Sequence, residues 1–380
     1  MKKRLLFIST IFPSRVANTH ATYNVQILKG LTDFYDIDII NPIPWPLGIR
    51  QNIPPTESLH GMEIFHPTYW YVPRMLRRYY GVFYYSSIKS RAVGLIKKKG
   101  YDVILSSWLY PDGWAATKLA DSFGIPSFVT AIGTDVNKLV QGSVIANHAL
   151  EVIERAKKII LVSENLKKKV VSLGANQDKL IVLYSGVNRD FFKKIDKLEV
   201  RHKLGFSAED KLVLFVGNFL KTKGLDELAD AFKGLFKKNT FKKIKLVMTG
   251  SGKYEPNFIN RLKSAGVIDR VVFTGSCALP DVAKLMNAAD VVCLPSYSEG
   301  LPNVVLEALC CNAKVVATNV GGIPELKKYH KNLYLVPPKN TQMLTETLMT
   351  ALNAPCHEDL CDDIGSWRDY SCQLATILNS

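Results

Sequence analysis

Cysteine is missing from the first 276 residues; all seven stand between Cys277 and Cys372, an odd number without regular spacing. A disulfide framework or a zinc site needs ordered pairs, so neither organises this chain. Several of the seven fall inside apolar patterns, where cysteine serves as a small buried hydrophobe, and the set suits a reducing cytoplasm. No apolar run approaches the ~20 residues of a membrane span. None of the seven histidines has a helical partner at metal-ligand spacing. The single D-x-D, Asp36-Ile-Asp38, lies inside the strand pattern YDIDII, and its carboxylates are expected on that strand's outward face. No metal site is expected. Acidic residues are also absent throughout the interval between Phe65 and Tyr101.

What remains is a globular composition: 380 residues, 47% hydrophobic and 22% charged, which excludes both a disordered chain and a solenoid and is long enough for two domains. The start, MKKRLLFISTIFPS, has a short apolar stretch broken by Ser9 and Thr10, and reads as a first strand rather than a signal peptide. The net charge of +15 is uneven. Residues 1–187 hold 23 Lys and Arg against 13 Asp and Glu, so the first half is the one suited to an anionic partner.

The first half alternates short apolar runs (RLLFIS, YDIDII, DVILSS, PSFVTA, KIILVS, LIVLYSG) with segments long enough for helices. Buried strands alternating with helices imply a parallel sheet covered on both faces, whose ligands bind beyond the carboxyl ends of the strands. A polar stretch, KKIDKLEVRHKLGFSAED, then reads as an interdomain connection. The second half resumes with LVLFVG and a helix that places Leu225, Leu228, Ala229, Phe232 and Leu235 on one face.

One stretch carries chemistry. VVCLPSYSEGLPNVVLEALCC, residues 291–311, reads as a buried strand, a turn, and a helix opening at Leu301-Pro302. The first turn of a helix offers unpaired N–H groups and the positive end of its dipole, so Gly300, Leu301, Asn303 and Val304 suit a phosphate. Glu299 and Glu307 beside that position make sense if they face hydroxyls on either side of the phosphate. Hydroxyls flanking a phosphate describe a nucleotide diphosphate sugar.

The segment resembles the E-x7-E motif of retaining glycosyltransferase family 4, and the resemblance continues through LPS, EGLPNVVLEAL and VVAT-V-GGIPE. It implies the GT-B architecture, two Rossmann-like doubly wound parallel-sheet α/β domains facing a cleft. The implied division is 1–187 for the acceptor domain, 188–210 for the linker, 211–360 for the nucleotide-sugar domain, and 361–380 for a helix crossing back to the first domain. By the same resemblance, Glu299 meets the transferred sugar's hydroxyls and Glu307 the nucleotide ribose. In the family's VGRLxxxKG loop, Lys223 offsets the diphosphate charge and Asn218 stands at the arginine position, where an amide donates hydrogen bonds without charge. KIKLVMTGSGK supplies Gly250 and Gly252 for close backbone approach to the nucleotide, or simply for the turn. The backbone from Val272 to Gly275 is expected to line the base pocket.

In the first domain, AIGTDVN resembles the family's HGSDxN loop, with Ile132 at the histidine position and Asp135 as the ionisable candidate, catalytic or capping. SSWLYPDGWAATKLA resembles the strand-to-helix junction WxYPDGxxA, where Trp108, Tyr110, Pro111 and Asp112 shape a loop near the acceptor. STIFPSRVANTHATYN matches the first acceptor-side loop, with Asn18, Thr22 and Asn24 where members usually carry glycine. Between Phe65 and Tyr101, eight basic residues (Arg74, Arg77, Arg78, Lys89, Arg91, Lys97, Lys98, Lys99) are interleaved with ten aromatics. That mixture suits an anionic membrane surface better than a plain solvated face or single-stranded nucleic acid. The expectation is a metal-independent retaining hexosyltransferase using a UDP- or GDP-sugar, peripheral at the inner face of the cytoplasmic membrane, with a lipid-linked or polysaccharide acceptor and no nucleic acid. The rivals are a non-catalytic scaffold and another GT-B activity such as a phosphorylase or sugar-nucleotide epimerase.

Overall fold

Among the described residues, ten strands build the first of two sheet systems: β1 (Lys3–Ile8), β2 (Tyr35–Ile40), β3 (Ile43–Pro44), β4 (Thr56–Leu59), β5 (Met62–Phe65), β6 (Thr68–Tyr69), β7 (Val103–Ser107), β8 (Ser127–Ala131), β9 (Lys158–Leu161) and β10 (Leu180–Val182). The computed structural model describes residues 2–13, 22–45, 53–70, 79–237, 241, 243–327, 329–358 and 363–380. Asn18, Arg74, Arg77 and Arg78 lie outside them. Eight of the strands form one sheet in the order β10-β9-β8-β7-β1-β2-β5-β4, parallel except for β4, which runs antiparallel to β5. β3 and β6 form a separate two-stranded ribbon.

Alternation along β1 shows why the sheet is covered on both sides. Leu5 and Phe7 enter one core with Leu28, Leu31, Trp367 and Leu374, while Leu6 and Ile8 enter another with Tyr84, Ile88, Ala115 and Leu119. A strand buried on both faces has no polar side to show, so it reads as an unbroken apolar run. The first core is closed by the helices Thr22–Leu31 and Trp367–Asn379, which meet where Gly30 faces Ser371. A β-carbon on Gly30 would fall 2.4 Å from the Ser371 Oγ, and that hydroxyl donates to the carbonyls of Trp367 (2.8 Å) and Ile27 (3.0 Å).

Residues Met1–Ser185 with Trp367–Ser380 form one compact unit, and Gly186–Ser366 form a second. The second contains β11 (Lys211–Val216), β12 (Ile244–Thr249), β13 (Val271–Gly275), β14 (Val291–Leu294), β15 (Lys314–Thr318) and β16 (Leu333–Val336), all parallel. Their order, β13-β12-β11-β14-β15-β16, is the doubly wound 3-2-1-4-5-6 arrangement, with its reversal between β11 and β14. The amphipathic helix expected after β11 runs Leu225–Lys237 and buries Leu225, Leu228, Ala229, Phe232 and Leu235.

Three expectations are corrected here. Residues 188–210 are not a plain connection: they include a helix, Lys197–Leu204, capped by Asp196 and ended by Gly205, within the second unit. Its anchor is polar, which is why apolar periodicity did not reveal it. Arg201 is buried and donates to Asp290 Oδ2 (2.7 Å) and to the carbonyls of Ala288 and Ala208 (2.9 Å each). Asp38 does not face outward to solvent; it is buried under Lys99 Nζ (2.9 Å) and the Tyr101 hydroxyl (2.7 Å), while Asp36 stays exposed. The segment 43–69, where no strands were expected, holds β3 to β6. Its β4–β5 hairpin turns at His60-Gly61, both with positive φ (50° and 78°) as a tight primed turn requires.

Candidate active site

The loops that follow β11 and β14 flank the point where strand order reverses, the usual ligand position of such sheets. Lys223 ends a short turn, Lys221–Lys223, and Gly224 follows with φ 68°. A β-carbon there would lie 1.9 Å from the Pro295 carbonyl oxygen, so only glycine lets the two loops touch. Hydrogen bonds then join them. The Tyr297 backbone N–H donates to Thr222 O (2.9 Å), and its hydroxyl reaches both carboxylate oxygens of Glu227 (2.8 and 2.7 Å). From below, Gly321 (φ 58°) packs against the Glu299 and Gly300 carbonyls, and Gly322 N–H donates to Gly300 O at 2.6 Å. The outcome is a held ion pair, Lys223 Nζ to Glu299 Oε1 at 2.7 Å, with both side chains mostly shielded. Gly224→Ala combines strain at positive φ with overpacking, and we expect it to cost about 2–3 kcal/mol, read as a lower urea midpoint with an unchanged slope.

The helix expected to open at Leu301-Pro302 begins at Asn303 and runs to Cys310, with Pro302 as an extended N-cap. Proline has no side-chain acceptor, and no side chain caps this helix, so its first N–H groups are left open to a ligand. Gly300 and Leu301 are buried, and Asn303 and Val304 are half-buried at the entrance. The Glu307 carboxyl, in the second turn, has no hydrogen-bond partner among the described residues, and burial pushes it up to about 7. Glu299 is already neutralised by Lys223, so the arrangement does not repel a phosphate as two free carboxylates would.

Gly250 and Gly252 follow β12, but their lack of a β-carbon is used by the chain itself. Side chains there would fall 2.0 Å from Gly217 O and 2.5 Å from Phe219 O. Asn218 lies exposed on that same loop. Val272 pairs with Val247 on the edge strand β13, and Gly275 is the residue at the carboxyl end, level with Thr249. The Val272 side chain is exposed on that strand.

In the first unit, strand order reverses between β1 and β7. Here Asp112, fully buried, spans the two strand ends by accepting from the Thr10 N–H, the Thr10 hydroxyl (3.1 Å) and the Tyr84 hydroxyl (2.9 Å). Burial outweighs those donors and raises its carboxyl to about 7. Asp135 lies in the short helix Thr134–Asn137 with both oxygens engaged by backbone N–H groups, Ile132 (3.2 Å), Gly133 (2.9 Å) and Leu109 (3.2 Å). Those bonds tie two loops together. The Tyr84 and Glu227–Tyr297 contacts escaped sequence reading, since nothing in residue spacing links such distant positions.

The basic and aromatic stretch is only partly a surface. Phe65, Tyr69, Tyr84 and Tyr101 are buried, and Lys99 is paired with Asp38 and Glu63. Lys89, Arg91, Lys97 and Lys98 stand exposed on the helix Tyr80–Lys99. No described helix is long and apolar enough to cross a membrane. Among the described residues no three His, Cys, Asp or Glu side chains gather as a metal site.

Two family models match the chain: "Glycosyl transferases group 1" over residues 196–366 and "Glycosyltransferase Family 4" over residues 71–191. Among curated relatives, the Bacillus subtilis glycosyltransferase TuaC, named for teichuronic acid biosynthesis, is 28% identical over 361 residues, covering 91% of this chain and 88% of TuaC. Among solved structures, a sucrose-phosphate synthase from Thermosynechococcus elongatus superposes with a TM-score of 0.83 at 20% identity, covering 99% of this chain and 98% of its own. Anabaena HepE in complex with UDP and glucose gives a TM-score of 0.76 at 19% identity over the whole of both chains.

Proposed function

Since the chain belongs to the GT-B glycosyltransferases of the family 4 kind, we propose that it transfers a hexosyl group, with retention and without a metal, from a UDP- or GDP-sugar to a membrane-associated polysaccharide or glycolipid acceptor. The observation that carries this reading is the Lys223–Glu299 pair, set where the second sheet's strand order reverses, beside an uncapped helix start and an unpartnered Glu307 carboxyl. The donor's diphosphate takes the helix start and Lys223. Glu299 then accepts from the sugar's hydroxyls, and Glu307 from the ribose. The acceptor hydroxyl attacks the anomeric carbon from the face the diphosphate leaves; as the bond to the departing oxygen breaks, the acceptor's proton passes to a phosphate oxygen. In the first unit, Asp112 and Asp135 hold the loops on the acceptor side. HepE, crystallised with UDP-glucose, and TuaC, named for teichuronic acid biosynthesis, support the donor and acceptor classes. Membrane contact, at the inner face of the cytoplasmic membrane, is assigned to residues 65–101 through the exposed cations of the helix Tyr80–Lys99.

A thermal-shift screen against UDP, GDP, ADP and dTDP and their common sugars, with and without magnesium, tests the donor half. One nucleotide at about 100 times its dissociation constant stabilises by ~2.7 kcal/mol, and we expect the same shift with and without magnesium. A folded protein that answers none of them is a scaffold instead. Proton NMR of the product's anomeric centre decides retention.

A further inference from the structure

Two tryptophans stand out on the first unit. The ribbon β3–β6 pairs Ile43 with Thr68 and Pro44 with Tyr69, and the Trp45 N–H donates to Tyr69 O at 2.9 Å. That register sets Trp45 and Trp70 face to face, their rings stacked at 4.3 Å between centroids and 24° between planes, so the outer indole faces are the ones open to a ligand. Both remain in water, 40% and 54% exposed, although indoles are the side chains with most to gain from burial. The ribbon follows directly on the ends of β2 and β5, so the pair lies at the carboxyl edge of the sheet, where ligands of such folds bind.

The surroundings give the charge of the ligand. Trp70 N–H lies 3.4 Å from Ser87 Oγ on the helix Tyr80–Lys99, and Arg91, exposed, stands one turn further along the same face. Its guanidinium lies 5.5 Å from the centre of the Phe65 ring. That helix carries no acidic residue at all. An exposed indole face beside a helix that carries Arg91 one turn beyond Ser87, and no acid, suits a pyranose ring whose C–H face is apolar and whose edge bears a carboxylate, which a guanidinium can grip with two hydrogen bonds.

Resting on the reading of the chain as a transferase with a polysaccharide acceptor, we propose that Trp45 and Trp70 form an acceptor platform for an acidic sugar residue of the growing glycan, its ring on the indoles and its carboxylate on Arg91. This adds a specificity site distinct from the donor residues Lys223, Glu299 and Glu307.

Tryptophan emission reads it directly, because Trp114 and Trp367 are buried and Trp108 is half-buried. The full chain is titrated with an oligoglucuronate, with a cello-oligosaccharide of equal length, and with phosphatidylglycerol vesicles. We expect a saturable change with oligoglucuronate and at least tenfold weaker binding of the neutral oligomer. Trp70→Ala and Trp45→Ala weaken oligoglucuronate at least tenfold, while Trp70→Tyr retains most of the affinity. Arg91→Gln brings the acidic oligomer down to the neutral one. Equal binding of the two sugars overturns the assignment of an acidic ring. A response to vesicles alone makes the pair a membrane contact, and no response to either sugar removes the platform altogether. The nucleotide thermal shift is measured on the same variants and stays unchanged; if nucleotides never shift the protein while oligoglucuronate binds, it is the transferase reading that fails and not the glycan site.

Discussion

Replacing Lys223 with alanine lowers the turnover number about 10²–10³-fold and changes the donor's Michaelis constant much less. As the bond to the anomeric carbon breaks, negative charge builds on the departing diphosphate, and a charge already in position opposite that oxygen is worth about 2.7–4 kcal/mol. Lys223 is in position before the donor arrives: its loop is wedged against Pro295 by Gly224, and its Nζ is held 2.7 Å from Glu299. Asn218, exposed on the same loop after β11, has no charge to share the work. Alanine also removes the ammonium opposite Glu299, so that carboxylate's charge is no longer offset by Lys223 beside the diphosphate. Arginine keeps the charge but presents a broad planar fork where a compact ammonium stood, and it restores only part of the rate. Steady-state kinetics decide the point, with thermal unfolding to confirm that the variant folds; a turnover number within threefold of the parent would sink the role.

The second large effect concerns donor binding and its pH dependence. Glu307→Ala weakens the nucleotide about 10–100-fold, the worth of hydrogen bonds to an ionised group, ~1.5–3 kcal/mol. Burial has raised this carboxyl to about 7 from an ordinary 4.5. Ribose hydroxyls donate best to the ionised form, so nucleotide affinity rises with pH up to about 7 and is level above it. Calorimetry at pH 5.5 and 7.5 should show roughly a tenfold difference for the parent, and none for Glu307→Gln. The same shift bears on stability with the opposite slope. A folded-state value above the unfolded one gives stability that is whole below pH 4.5 and is lost as pH rises through 7, at up to ~1.4 kcal/mol per pH unit. Asp112 slopes the same way in the other unit, so the Glu307 share is the difference between parent and Glu307→Gln. A parent whose nucleotide affinity is flat from pH 5.5 to 7.5 would remove Glu307 from the ribose.

Most of the fold was legible because strands buried on both faces leave apolar runs, and a helix such as Leu225–Lys237 leaves a stripe. What escaped was held by something other than pattern. The ribbon and hairpin between residues 43 and 69 are made of strands of two to four residues, too short to repeat. The Lys197–Leu204 helix docks through the charge of Arg201, a residue that sequence reading assigns to solvent. Aromatics such as Tyr84 and Tyr101, expected at a membrane, face inward because their hydroxyls find buried carboxylates, Asp112 and Asp38. At the site, residue types and loop identities were readable, and the contacts that set distances were not. Gly224 and Gly321 fix the loops through what their missing side chains permit, which no residue spacing announces.

The contact of Gly30 with Ser371 governs the order in which the polypeptide can finish itself during translation. One face of the first sheet is covered by Trp367, Tyr370, Leu374 and Leu378, and the 181 residues from Gly186 to Ser366 must be synthesised between Ser185 and that helix. At ~5–20 residues per second this takes roughly 10–40 s, during which the nascent sheet has that face covered by the helix Thr22–Leu31 alone. The amino-terminal unit therefore cannot close its first core until the last residues of the chain are made, whereas the carboxyl-terminal unit is built from one continuous stretch.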